Sequence, residues 1–227
     1  MDPSVSNLEI CNLAYIGNLE QLKNQILADK SLAFKKDQDD RTALHWSCSA
    51  GRTEIVQFLL DLGASVDDRD DAQWTPLHIA SSAGHEEIVR ALIKKQAQLN
   101  SANQNGCTPL HYAASKNRYE IAELLLENGA NPNATDNLNS TPLHRAAAKG
   151  NIRLISLLLK HRASTNIQDS EGNTPLHLAC DEERADEAKL LVKHGASIYI
   201  DNKEKKTPLQ MAKGGLGPVL RRMTEER

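Results

Sequence analysis

The sequence predicts an all-α solenoid of seven helix–turn–helix repeats, each opened by a projecting β-turn finger. Three observations predict it. The motif Thr-Pro-Leu-His stands at Thr75, Thr108, Thr141 and Thr174, with looser copies at Thr42-Ala43-Leu44-His45 and Thr207-Pro208-Leu209-Gln210, so that the threonines keep an unbroken step of 33 residues. Behind each motif a second apolar stretch follows at helical spacing. The two ends of the chain keep the register but exchange apolar residues for polar ones, as capping repeats do.

Each residue of the motif has a local reason. The Thr is a helix N-cap, its hydroxyl accepting an orphan amide of the first turn. Pro follows at the first helical position, where a missing N–H costs nothing. The Leu points into the core. Five of the eight histidines, His45, His78, His111, His144 and His177, occupy the next slot. An active site would mark one repeat rather than five, so these rings are expected to bond the Thr and a neighbouring turn. The period of 33 and the pattern Thr-Pro-Leu-His-x-Ala resemble the ankyrin repeat.

In chain order, residues 7–36 form the N-terminal cap. Leu22, Ile26 and Leu27 lie 33 before Ile55, Leu59 and Leu60, whereas Lys23 and Gln25 replace Val56 and Phe58. Internal repeats fill 37–202. Their second helices carry Ile55, Val56, Phe58, Leu59 and Leu60; Ile88, Val89, Leu92 and Ile93; Ile121, Leu124, Leu125 and Leu126; Leu154, Ile155, Leu158 and Leu159; Ala188, Leu190 and Leu191. Glycine closes these helices at Gly63, Gly129 and Gly195, but Gln96 and Arg162 stand in the same left-handed slot. Residues 203–227 form the C-terminal cap, with a short second helix. Leu216, Val219, Leu220 and Met223 make its apolar face, and Arg221, Arg222, Glu225 and Glu226 its polar one. Residues 1–227 are thus expected to form a single domain.

Composition narrows the function. The formal net charge of −3 gives no basic excess for nucleic acid. No apolar run approaches the roughly 18 residues of a membrane span. The start, Met1-Asp2-Pro3-Ser4-Val5-Ser6, shows no secretory leader. Cys11, Cys48, Cys107 and Cys180 have no C-x-x-C spacing and read as reduced thiols of a cytoplasmic or nuclear protein. Gly214-Gly215-Leu216-Gly217 lacks the Lys-Ser/Thr of a phosphate loop, and His85-Glu86-Glu87 lacks the second His of a zinc motif. No cofactor, metal or catalytic constellation is implied, and an enzyme is not expected.

What varies is the face lined by fingers and first helices, the extended binding surface of such a solenoid. Its early fingers are acidic, with Asp37, Asp39 and Asp40, then Asp67, Asp68, Asp70 and Asp71. Later first-helix ends are basic, with Lys116, Arg118, Arg145 and Lys149. Trp46, Trp74 and Tyr112 occupy groove-facing slots of a kind that supplies interface anchors.

Beyond the repeat itself, several stretches are similar to one family. They are Cys11-Asn12-Leu13-Ala14-Tyr15, Asn103-Gln104-Asn105-Gly106-Cys107-Thr108, Ala163-Ser164-Thr165-Asn166-Ile167-Gln168-Asp169, Leu178-Ala179-Cys180-Asp181-Glu182-Glu183-Arg184 and Lys213-Gly214-Gly215-Leu216-Gly217. With seven repeats and this length they resemble the gankyrin family of non-ATPase subunits of the proteasome regulatory particle. Gln96 and the turn Asp136-Asn137-Leu138-Asn139-Ser140 depart from it.

The resemblance implies a chaperone and adaptor that grips the C-terminal domain of a proteasome base ATPase subunit. The family contacts fall on Asp39, Arg41, Asp70, Asp71 and Lys116. It also implies a cyclin-dependent kinase, the retinoblastoma protein and a ubiquitin ligase as partners. Leu178, Cys180 and Glu182 match the L-x-C-x-E pattern of retinoblastoma binding, but they begin inside a first helix, so display would require local unfolding. The alternative is a stoichiometric regulator of a cyclin-dependent kinase with no proteasome role. Alone, the chain is expected to be a monomer.

Overall fold

The computed structural model describes residues 5–225. Most of the stretch read for a leader, Met1 to Ser4, and Glu226 of the final polar face lie outside the described residues. Every regular element among the described residues is helical. No helix among the described residues is long and apolar enough to cross a membrane.

The chain divides into two compact bodies, Met1–Gln104 and Asn105–Arg227. The first holds α1 (Glu9–Ile16), α2 (Leu19–Ala28), a 3-10 turn (Lys30–Phe34), α3 (Ala43–Ala50), α4 (Thr53–Asp61), α5 (Pro76–Ala83) and α6 (Glu86–Lys94). Its first helices stack α1 on α3 and α3 on α5, and behind them α4 packs on α6. The second body holds α7 (Pro109–Ser115), α8 (Tyr119–Glu127), α9 (Pro142–Lys149), α10 (Ile152–Lys160), α11 (Pro175–Asp181), α12 (Ala185–Lys193), α13 (Pro208–Met211) and α14 (Leu216–Glu225). Here α7, α9, α11 and α13 stack in one row, and α8, α10, α12 and α14 in the other. The motif leucines Leu44, Leu77, Leu110, Leu143 and Leu176 are all buried between these rows.

Two expectations about the caps need correction. Leu27 is 74% exposed. Leu22 and Ile26 lie four apart on the buried stripe of α2, whereas Leu27 is turned a further ~100° away from it. At the other end α14 is a full helix of 10 residues, and α13 is the short one, with 4. Ala212 already has an extended backbone, and Gly214 and Gly215, both at positive φ, turn the chain into α14.

The threonines cap their helices as expected, and the histidines complete the caps. In α3, α5, α7, α9 and α11 the N-cap amide N–H points to the His Nδ1, at 3.1, 3.1, 3.0, 3.1 and 2.9 Å. His thus takes the place of the Glu or Gln of an ordinary capping box. Because an amide N–H can only donate, Nδ1 is unprotonated and the ring hydrogen sits on Nε2. That hydrogen is donated to a carbonyl of the following repeat: Asp68 for His45 (3.0 Å), Ser140 for His111 (2.9 Å), Asn173 for His144 (3.0 Å) and Lys206 for His177 (3.1 Å). Burial is the chief cause that pulls the pKa of these four rings below the ordinary imidazole value.

Successive fingers are joined by one backbone hydrogen bond each. Asp71 N–H donates to the Asp39 carbonyl and Gln104 N–H to that of Ala72, both at 3.0 Å, in the first body. In the second, Asn137 bonds Asn105 (3.0 Å), Ser170 bonds Leu138 (2.7 Å) and Lys203 bonds Glu171 (3.0 Å). The approach is close: a Cβ at Gly106, where φ is +75°, would lie 2.7 Å from the Asn137 amide nitrogen.

Two predictions follow from this geometry. A ring whose folded pKa is depressed contributes stability above the unfolded value, near 6.5, and loses it as pH falls toward the folded pKa. Thermal unfolding should therefore occur at lower temperature at pH 5.5 than at pH 7. The double variant His111→Gln/His144→Gln should show a smaller drop, because Gln210 already fills this slot and accepts the Thr207 amide at 2.8 Å. An unchanged drop would show that these rings do not carry the dependence.

Gln96 and Arg162 hold φ of +63° and +64°, and the equivalent Gly63, Gly129 and Gly195 have open space around a built Cβ. The strain is thus in the backbone alone. Gln96→Gly should raise stability by about 0.5–1 kcal/mol net of the added chain entropy, measured by urea titration.

Candidate protein-binding face

Each finger is closed by an aspartate or asparagine at the same register: Asp37, Asp70, Asn103, Asp136, Asp169 and Asn202. The backbone N–H of Asp37 donates to the Arg41 carbonyl at 2.9 Å, and the same bond recurs from Asp70 to Trp74, Asp136 to Ser140, Asp169 to Asn173 and Asn202 to Lys206. One side-chain oxygen folds back onto the turn. Asp37 Oδ1 accepts from the amides of Asp39 and Arg41 at 3.0 and 2.9 Å. Asp136 Oδ1 accepts from Leu138 and Ser140, both at 2.9 Å. These are Asx turns, in which a short polar side chain replaces a backbone acceptor.

In the three buried aspartates, Asp37, Asp70 and Asp136, the outer oxygen takes a second donor. In two fingers the first-helix residue nine positions on supplies it. Trp46 Nε1 donates to Asp37 Oδ2 at 2.7 Å, and Arg145 Nη2 donates to Asp136 Oδ2. For Asp70 the donor is Arg41 of the preceding finger, Nε to Oδ2 at 3.0 Å. Burial raises the pKa of Asp37 and Asp136, but their hydrogen bonds outweigh it and hold both below the ordinary carboxylate range. For Asp37 the donors are Ser6, Trp46 and two backbone amides; for Asp136 they are two backbone amides and Arg145.

This arrangement corrects three of the residues read as exposed on the binding face. Asp37 is 8% exposed and spends its carboxylate on closing its own finger. Asp70 is only 1% exposed and closes its finger rather than offering charge at a tip. Trp46 is 8% exposed, with its indole N–H already bonded, Arg41 stacked 4.9 Å from its ring centroid and Tyr15 edge-on at 5.9 Å. Arg41 is thereby held between Trp46 and Asp70. Asp40 and Asp71 are exposed, and Asp39 and Trp74 half-buried. In the second body Lys116 and Lys149 are exposed, while Tyr112 and Arg145 are half-buried.

The structure brings Tyr112 and Arg145 together with Cys107, His111, Asp136 and Leu138 around a cleft of about 440 Å³. Lys116, Lys149 and Leu178 line a second cleft of about 510 Å³ that shares Leu138 and Arg145 with the first. Cys180 is fully buried within α11, with its thiol pKa pushed up to about 12 by burial. The Leu178–Glu182 pattern is therefore helical at its start and hidden at its cysteine. No group of three or more His, Cys, Asp or Glu among the described residues is placed to hold a metal ion.

Models of ankyrin repeats in three copies match residues 63–136 and 131–202, and a single ankyrin-repeat model matches residues 39–71. The chain belongs to the ankyrin-repeat family. Its fold resembles the crystal structure of the ankyrin repeat domain of Bcl-3, a member of the IkappaB protein family. The TM-score is 0.83 at 27% identity, over 95% of this chain and 98% of that one.

Among curated proteins the chain is similar to 26S proteasome non-ATPase regulatory subunit 10. The Homo sapiens protein is 71% identical over 74 residues, 33% of each chain, and the Mus musculus protein 68% over 74 residues, 33% of this chain and 32% of that one. The Dictyostelium discoideum protein of the same name is 40% identical over 67 residues, 29% of each. The chain spans about a third of the length of the human and mouse relatives in these matches.

The finger geometry gives Trp46 a structural task that can be measured. Trp46→Phe keeps most of the ring but removes the indole donor to Asp37 Oδ2, leaving Ser6 and the two turn amides as the donors to this carboxylate. The variant should lose about 2 kcal/mol in a urea titration, the worth of a hydrogen bond to a charged group. A loss below about 0.5 kcal/mol, as expected of an ordinary surface substitution, would remove Trp46 from the finger closure.

Proposed function

We propose that this chain is a non-enzymatic adaptor and assembly chaperone that binds the C-terminal domain of a base ATPase subunit of the proteasome regulatory particle. The observation that carries the reading is the 71% identity over 74 residues to a protein named as a non-ATPase regulatory subunit of the 26S proteasome. Ankyrin repeats are protein-binding scaffolds whose fingers and first helices vary over a constant frame, which agrees with a task of holding another protein.

The charges available for such contact are Asp40 and Asp71 in the first body, and Lys116 and Lys149 in the second, all exposed. Binding of the retinoblastoma protein through Leu178, Cys180 and Glu182 would require α11 to open, since Cys180 is fully buried.

Association of the purified chain with the isolated ATPase domain tests the reading. Complementary charge governs encounter rate more than total affinity, so Asp71→Lys and Lys116→Glu should each slow association by about threefold to tenfold at low salt. Raised salt should narrow the gap to the unmodified chain. Absence of binding by the unmodified chain would sink the proposal. Equal rates for all three proteins at low salt would remove these residues from the interface.

A further inference from the structure

The fingertips stand in one register: Asp39, Ala72, Asn105, Leu138, Glu171 and Glu204. Five are polar or small. Leu138 alone is a large apolar residue, and it is 62% exposed. Its backbone is fixed at both ends, the N–H on Asp136 Oδ1 at 2.9 Å and the carbonyl under the Ser170 amide at 2.7 Å. The finger would close equally well around a polar residue, as it does at Asp39, Glu171 and Glu204. Closing the finger therefore gives no reason for leucine there.

The surroundings favour a ligand of defined chemistry. Leu138 and Arg145 stand between the two clefts of about 440 and 510 Å³ described above. Arg145 spends Nη2 on Asp136, and its buried Nε has no acceptor in the structure. On the helix side, Lys116 and Lys149 occupy equivalent positions at the ends of α7 and α9, both exposed and neither in an ion pair among the described residues. Of the carboxylates that line the same clefts, Asp136 is paired with Arg145, Asp169 folds one oxygen onto its own turn, and Glu171 is exposed on the next fingertip, so the negative charge left in the second cleft is on the finger side. Positive charge is thus free on the helix side, next to a rigid apolar knob.

We infer that Leu138 is an anchor for an acidic protein segment, one that lays an apolar side chain against this fingertip and turns carboxylates toward Lys149 and Lys116. A residue held by its backbone loses little freedom on binding, so its burial converts efficiently into affinity. The inference rests on the reading of the chain as a protein-binding scaffold and names the chemistry that the second body takes.

The test uses the full chain and two probes. One is a short synthetic peptide with a single leucine flanked by glutamates, read by fluorescence anisotropy beside a lysine-flanked counterpart. The other is the ATPase domain named above. Leu138→Asn takes the residue of the preceding fingertip and should leave the circular-dichroism melt unchanged. It should weaken the glutamate-flanked peptide by about tenfold, from the burial of one leucine side chain. Tyr199→Asn, which removes another exposed apolar residue of the second body (64% exposed), should bind as the unmodified chain does. The lysine-flanked peptide should bind more weakly than the acidic one.

If the acidic peptide binds the unmodified chain and Leu138→Asn alike, or does not bind, the inference is overturned. If the peptide discriminates while the ATPase domain does not bind at all, the inference stands and the proteasome reading fails. If the ATPase domain binds and the peptide shows no discrimination, the proteasome reading stands and Leu138 is not an anchor.

Discussion

A buried imidazole between two backbone groups holds the rest of this fold in place. The motif helices begin with an amide that has no backbone partner in its own helix, and the following finger presents a carbonyl that, in three of the four joints, already accepts the amide of its own closing residue and has a second lone pair to offer. Left unpaired in a buried joint, the amide would cost on the order of 1–3 kcal/mol. His45, His111, His144 and His177 satisfy both at once, Nδ1 taking the amide and Nε2 meeting the carbonyl. A ring with two nitrogens on opposite edges spans that gap, which a hydroxyl could not. The helices, the finger ladder and the close approach at Gly106 all presuppose the spacing that this bridge sets.

The parts of the fold that repeat were legible in the sequence. Thr, Pro, Leu and His each act within one turn of their own position, so a local argument finds them. The same holds for the left-handed slots, where Gln96 and Arg162 take the conformation that their glycine-bearing neighbours announce. The caps were less legible because they lack one neighbour. Leu27 has the composition of a core residue but no second surface to meet, and it remains in water.

The candidate face was legible as a region and misread in its detail. Asp70 carries a charge, and charge on a turn suggests solvent; its burial depends on Arg41 from another finger, 29 positions away. Trp46 was hidden in the same way by Asp37, whose role shows only when Asp37, Asp136 and Asn202 are set in one column. That column, an aspartate or asparagine every 33 residues, was the signal available in the sequence. Leu138 gave a signal of its own as a leucine in a turn otherwise made of polar residues. It has meaning only once the turn is known to hold it outward.

The slot nine residues after each finger-closing residue has a consequence for how such a face can evolve. Trp46 and Arg145 lie where new specificity would be expected to arise, yet each also donates to a carboxylate that folds the loop before it. In the last finger the closing residue is asparagine, and its amide nitrogen turns to Met211 Sδ at 3.8 Å. A lineage that replaces the donor must therefore neutralise the carboxylate, borrow a donor from an adjacent repeat as Asp70 does, leave the outer oxygen to water as the half-buried Asp169 does, or accept a looser loop. Drift at this slot is paired drift, and positions 37 and 46, or 136 and 145, should change together among descendants of this chain.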